Sequence, residues 1–164
     1  GRHIYGLYMA VCGPFRRRQI PQPQRNIQLI YMKKIIASPK APAAIGPYSQ
    51  ATMAGDTLYV SGQLPIAADG TMPESIEEQT RQSLSNIGYI LEEAGLSFAD
   101  VTKTCVLLAD INDFAAMNAV YSEFFRSDCP ARVCYQVAAL PKAAKVEIDA
   151  IAVYTAEASD AAGE

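Results

Sequence analysis

Residues 130–155 read PARVCYQVAALPKAAKVEIDAIAVYT, and the reading of this stretch decides the fold. It contains two apolar runs, Arg132 to Ala138 and Val146 to Thr155, joined by Leu140-Pro141-Lys142, and both read as β-strands. Period-two alternation puts Arg132, Cys134 and Gln136 on one side of the first strand. It puts Glu147 and Asp149 together on one side of the second. An arginine entering an apolar strand needs a planar anion, since a buried and unpaired guanidinium costs on the order of 3–5 kcal/mol. If the two strands pair, arginine and carboxylate can share a face, and two readings follow. In one, Arg132 forks onto a small carboxylate ligand while Glu147 works beside it as a proton donor. In the other, Glu147 is the partner in a structural ion pair between strands or subunits.

Working outward, Thr104 to Ala109 is apolar on both faces and is expected to be a central strand. Thr57 to Ser61 reads as another strand, entered from the turn signal Gly55-Asp56 and followed by Gly62. A short apolar piece, Lys34 to Ala37, precedes a proline-rich loop, Ser38 to Pro47. Ser75-Ile76-Glu77-Glu78 fits a capping box, and Thr80, Leu84, Ile87, Leu91 and Ala94 recur at helical spacing before Gly95 ends the pattern. Asn112 or Asp113 starts a second helix with Phe114, Met117, Tyr121 and Phe124 on one stripe. Strands, helix, strand, helix and two strands predict an α+β layer, with the helices on one face of a mixed sheet.

The chain has 164 residues, half of them hydrophobic, which suits one domain with a proper core. Its net charge of −3 hides an asymmetry. Residues 1–31 hold five arginines and no acid, whereas residues 32–164 hold nine basic and seventeen acidic side chains. A body near −8 is a poor footprint for nucleic acid, whose binding is led by phosphate contacts. The sole histidine, His3, lies in the basic leader, so the body lacks Ser–His and Cys–His pairs and the usual histidine-containing zinc sites. Cys105, Cys129 and Cys134 form no C-x-x-C and no disulfide framework, which points to a reducing cytoplasm. Residues 1–31 read as vector-derived or translated upstream sequence, with an Arg-rich organelle presequence as the alternative. Met32 looks like a natural start, residues 32–156 form the domain, and the polar tail 157–164 is expected to be disordered. No apolar run approaches the ~18 residues needed to span a membrane.

Weaker signals accompany the arginine and the acid. Gly46-Pro47 fixes the backbone ahead of Tyr48, whose hydroxyl either donates to a polar ligand or is satisfied in a buried turn. Ser61-Gly62-Gln63 either lets a backbone N–H approach a ligand or ends its strand, and the strand end is the simpler reading. Cys134 beside an arginine, with no histidine near, reads as an inert strand residue. Asn118 on the second helix is expected to bond a loop backbone or face solvent.

Together these pieces are specific. GPYSQA (46–51), SGQ (61–63), DINDF (110–114) with Asn118, PAR (130–132) with VCYQVAALPK, and VEIDAIAV (146–153) stand in an order and spacing that resembles the RidA/YjgF family over residues 33–155. The resemblance implies a single-domain chorismate-mutase-like fold, β-β-β-α-β-α-β-β, assembled as a homotrimer with active sites between subunits. It implies hydrolysis of 2-iminobutanoate and 2-iminopropanoate, released as enamines by pyridoxal-phosphate dehydratases, to 2-oxo acids and ammonia, with no cofactor and no metal. Carried over by motif, Arg132 binds the substrate carboxylate, and Glu147 activates water and protonates the leaving nitrogen. Tyr48 and Asn118 line the pocket, and Gly62 and Cys134 contribute backbone groups. Cys129 stands before PAR where many relatives have an aromatic residue, which thins that wall. The rival readings are a carboxylate-binding regulatory module without turnover, an endoribonuclease-type translation inhibitor and a chaperone-like holdase.

Overall fold

The computed structural model describes residues 33–154; the leader 1–31, Met32 and the tail 157–164 lie outside the described residues. Eight main elements follow one another: β1 (Lys34–Ile36), β2 (Ala51–Ala54), β3 (Thr57–Gln63), α1 (Ile76–Glu93), β4 (Val101–Leu108), α2 (Phe114–Phe124), β5 (Ala131–Gln136) and β6 (Val146–Val153). Their order is β-β-β-α-β-α-β-β, as expected.

Local chemistry sets the helix ends. The Ser75 hydroxyl accepts the Glu78 backbone N–H at 3.2 Å, but the returning arm of the expected capping box stops short. The Glu78 carboxylate takes the Ser75 hydroxyl at 3.1 Å. At the other end Gly95 adopts φ 73°, and the Gly95 and Leu96 N–H groups donate to the Glu92 and Leu91 carbonyls. That Schellman pairing needs a left-handed residue, which glycine supplies without steric cost. One 3₁₀ turn, Ile111–Asp113, precedes α2, and Asp110 caps it by accepting the Asn112 N–H.

The sheet order is β1-β2-β3-β6-β4-β5, with β4 and β5 parallel and the other neighbours antiparallel. The last two strands, whose pairing would let arginine and carboxylate share a face, are therefore not neighbours, because β4 lies between them. The reason is topological: β4-α2-β5 is a parallel crossover that carries β5 to the outside, while β6 returns antiparallel between β3 and β4.

Both helices pack on one face. Leu84, Ile87, Ile90 and Leu91 of α1 and Met117 and Tyr121 of α2 share a core with Leu58, Val60, Val106, Leu108, Val146 and Ile148 of the sheet. Each fully buried aliphatic there contributes about 1.5–3 kcal/mol. Phe114, assigned to the core stripe by its spacing, is 39% exposed instead, since it opens α2 beside β5. The opposite face of the sheet has no layer over it among the described residues. It displays Ile35, Tyr59, Val133 and Tyr135, each 43–52% exposed, beside half-buried Cys105, Leu107 and Ile151.

Candidate active site

A cavity of about 550 Å³ opens beside β3 and the start of β6. Tyr48, Gln50, Ser61, Gly62, Gln63 and Glu147 form its polar side, with Lys142 at the rim. Glu147 reaches it because of an irregularity in β3. Val60 pairs with Ala150 and Gln63 with Ile148, so Ser61 and Gly62 together oppose the single residue Asp149. This β-bulge replaces the strand end expected at Gly62; a glycine inside a strand marks a bulge or a close approach, and here it marks both. A Cβ on Gly62 would fall onto Glu147 Oε1, 3.0 Å from its Cδ and 3.3 Å from its Cγ. The missing side chain is the space the carboxylate occupies.

Burial pushes the Glu147 carboxyl above its ordinary pKa, and the negative charge of Asp149 on the same face adds to the shift. A carboxyl raised in this way can hold a proton and release it, the property a general acid–base group needs. Tyr48 is half exposed, not buried. Its oxygen accepts the Ile45 N–H at 3.3 Å, which leaves the hydroxyl proton free to donate into the cavity. Gln50 turns its amide away to hold the proline-rich loop, accepting from Ser38 N–H at 2.7 Å and donating to the Pro42 carbonyl at 2.9 Å. At the rim, Lys142 and Ala143 stand at φ 57° and 55°, a left-handed backbone that is costly for side-chain-bearing residues. The turn is held by Lys145 N–H donating to Gln79 Oε1 at 2.8 Å.

Arg132 lies elsewhere. It pairs in register with Thr104, whose hydroxyl is buried against Tyr121 on the helix face at 2.7 Å. Its Nη1 donates to Asn118 Oδ1 at 2.7 Å. Its guanidinium lies 4.6 Å from the Tyr121 ring centroid and 5.7 Å from that of Phe114. Arginine stacks well on such faces because it is planar and weakly hydrated. In place of the loop backbone or solvent expected of it, Asn118 offers its Oδ1 to the guanidinium and fixes it. Cys134, two residues along the same face, is half-buried and packs against the core. Burial pushes its thiol up in pKa, against the opposing pull of Arg132, which keeps it protonated and inert.

One chain therefore brings Tyr48, Gly62 and Glu147 together and groups Arg132 with Asn118 and Cys134, but it does not join the two groups. Glu147 pairs across β4 with Leu107 on the uncovered face, whereas Arg132 points to the helix face. Arginine and acid do not share a face, and the ion pair between them is not formed within the chain. Among the described residues the ion pairs are Lys40–Glu92 and Arg81–Glu123, and neither includes Arg132. Spacing alone missed the aromatic bed of Phe114 and Tyr121, since both were read as core positions. It gives no shape to the segment from Leu64 to Ala68, which walls the cavity and depends on a distant helix.

An apolar-walled cavity with a carboxyl of raised pKa, and a separate guanidinium with one hydrogen bond among the described residues, are the kinds of group that a protein acting on a small carboxylic acid needs. The chain belongs to the family described as endoribonuclease L-PSP, the RidA/YjgF family, whose model matches residues 38–154. The chain is 55% identical over 124 residues to the 2-iminobutanoate/2-iminopropanoate deaminase of Capra hircus, covering 74% of this chain and 90% of that protein. The Escherichia coli K12 protein of the same name is 48% identical over 126 residues, covering 74% of this chain and 98% of that one. Among solved structures, E. coli TdcF with bound serine superposes with a TM-score of 0.73 at 46% identity, covering 75% of this chain and all of that one.

Proposed function

We propose that this protein is a deaminase that hydrolyses 2-iminobutanoate and 2-iminopropanoate to their 2-oxo acids and ammonia, at sites formed between copies of the chain in a homotrimer. The carrying observation is the division of the site: a cavity with Glu147 on one face, and on the other an arginine that has no carboxylate partner among the described residues. A ring of head-to-tail copies apposes two such unlike surfaces, and the apolar sheet face supplies area for burial between them.

In this reading Arg132, held by Asn118 and the Tyr121 ring, grips the substrate carboxylate and sets the imine carbon before Glu147. Glu147 takes a proton from water as the oxygen bonds to C2, and then gives it to the nitrogen. Its carboxylate then takes the hydroxyl proton of the carbinolamine as the C–N bond breaks; ammonia leaves and carries that proton away as ammonium, and the 2-oxo acid remains. The Tyr48 hydroxyl orients the substrate, while Cys134 contributes through its backbone. A protonated imine is already electrophilic, so orientation, worth several kcal/mol, and one acid–base group, worth about 10²–10⁴-fold, meet the demand. The three free cysteines of the described residues suit the reducing cytoplasm this role calls for. The excess of acids in residues 32–164 opposes phosphate binding and so weighs against nuclease activity.

The test is complementation. Arg132→Ala and Glu147→Gln are each expected to be inactive against an imine generated by threonine dehydratase and competed with semicarbazide. Refolded together in equal amounts, they regain roughly a quarter of the unmutated activity, since a random mixture of chains in a ring restores one interface in four. An inactive mixture of well-folded trimers would overturn the shared site, and a monomeric protein with full activity would do the same.

A further inference from the structure

The cavity is larger than the proposed substrates require. At about 550 Å³ it lies within the roughly 300–1,000 Å³ of pockets that take drug-sized ligands, far beyond what a four-carbon imino acid fills. The surplus lies along an apolar wall of Leu64, Ile66, Ala67 and Ala68, faced by Pro42 and Ile45. None of these residues can bond a carboxylate or an imine nitrogen through its side chain, but an aliphatic group can lie against them.

What places this wall is an amide in the core. Asn86 sits in the middle of α1 with no solvent exposure, a position the helical period would give to an aliphatic residue. Its Nδ2 donates to the Leu64 carbonyl at 3.1 Å and the Ile66 carbonyl at 2.9 Å, and its Oδ1 accepts from Gln82 at 2.9 Å. A buried amide is retained at such a site only when its bonds are made, because an unmade one costs about 1–3 kcal/mol. Here both donors go to the segment that leaves the bulge and lines the cavity. The far end of that segment is closed by Ala67 N–H to Thr71 O at 2.8 Å and Gly70 N–H to Ala67 O at 2.9 Å.

We infer that Leu64–Ala68, anchored by Asn86, is the specificity wall against which the aliphatic side chain of the imino acid packs, with Asn86 as its positioning residue. This rests on the deaminase reading and adds the part of the protein that sets side-chain preference. Arg132 and Glu147 act on groups common to every 2-imino acid, so discrimination has to come from a third surface. The wall belongs to the same chain as Glu147, whichever copy supplies the arginine.

The test compares 2-iminopropanoate with 4-methyl-2-iminopentanoate, each generated in situ by an amino acid oxidase and competed with semicarbazide. Ala67→Val, which narrows the wall, lowers the long-to-short ratio of kcat/KM about tenfold, the lower end of what one methylene decides in an apolar pocket. Asn86→Ala raises KM for the long imine about tenfold and that for the short one less than threefold. Asn86→Ser, which retains one donor, falls between. A ratio unmoved by Ala67→Val overturns the inference even if the Asn86 variants fail to fold. Equal loss on both substrates in folded Asn86 variants reduces that residue to core structure and overturns its positioning role. If the unmutated protein turns over neither imine, the deaminase reading fails. The wall is then tested by the ratio of calorimetric affinities for 4-methyl-2-oxopentanoate and pyruvate, with the same variants and the same outcomes.

Discussion

Gly62→Ala separates the site from the scaffold. The added Cβ lands on Glu147 Oε1 and within 3.0 Å of Cδ, so the carboxylate has to move by about 1 Å, a misplacement that can cost on the order of 10²-fold in rate. That loss corresponds to about 2.7 kcal/mol of transition-state stabilisation at 1.36 kcal/mol per tenfold. The fold is spared, for two reasons. The obstructing group is the free end of a side chain, which can rotate toward the open cavity. Replacing glycine also lowers the entropy of the unfolded chain, worth about 0.4–1 kcal/mol where the backbone tolerates a side chain. The assay is imine hydrolysis beside thermal melting at matched protein concentration, with kcat/KM expected to fall about a hundredfold and stability to move by less than about 1 kcal/mol. Activity within threefold of the parent in a folded variant would refute the claim that this glycine exists to admit the carboxylate.

Arg132→Lys retains the charge but loses the fork and its stacking on Tyr121, so kcat/KM should fall about 10–100-fold, the value of one charge-assisted bond. A lysine variant matching the parent in a steady-state assay would remove the bidentate grip. Glu147 holds its proton to higher pH in the folded chain than its ordinary value of 4.5, so the folded state binds more protons as pH climbs past that value. Its contribution is most favourable below that interval and is lost as pH rises through it. Glu147→Gln should therefore flatten the decline and melt higher at neutral pH; parallel melting curves for parent and variant from pH 4 to 8 would contradict this.

Local chemistry made part of this protein legible. α1 was readable because its cap, its apolar period and its terminal glycine act within a few residues of one another. Strand order was not, since nothing within residues 130–155 tells β6 to pair with β3 and β4 in place of β5. Family resemblance supplied the fold class and the element order, not the order of strands in the sheet. Gly62 shows the same limit at the site: whether a glycine ends a strand or bulges from it depends on β6, more than eighty positions away in the chain. Asn118 was seen, but its partner was not, because the helix and strand that join it to Arg132 meet only in three dimensions.

The bulge in β3 has a bearing on how such a site arises and disappears. Val60 and Gln63 already pair with Ala150 and Ile148, and a single residue between them would complete ordinary alternation. A chain lacking Gly62 should therefore keep Leu58, Val60 and Gln63 facing inward and still fold, which a melting curve of the deletion would check. Most one-codon losses from a strand invert everything beyond them. This one straightens the strand and leaves Glu147 without its opening, so the lineage of such a protein can shed its chemistry in one step while keeping its architecture.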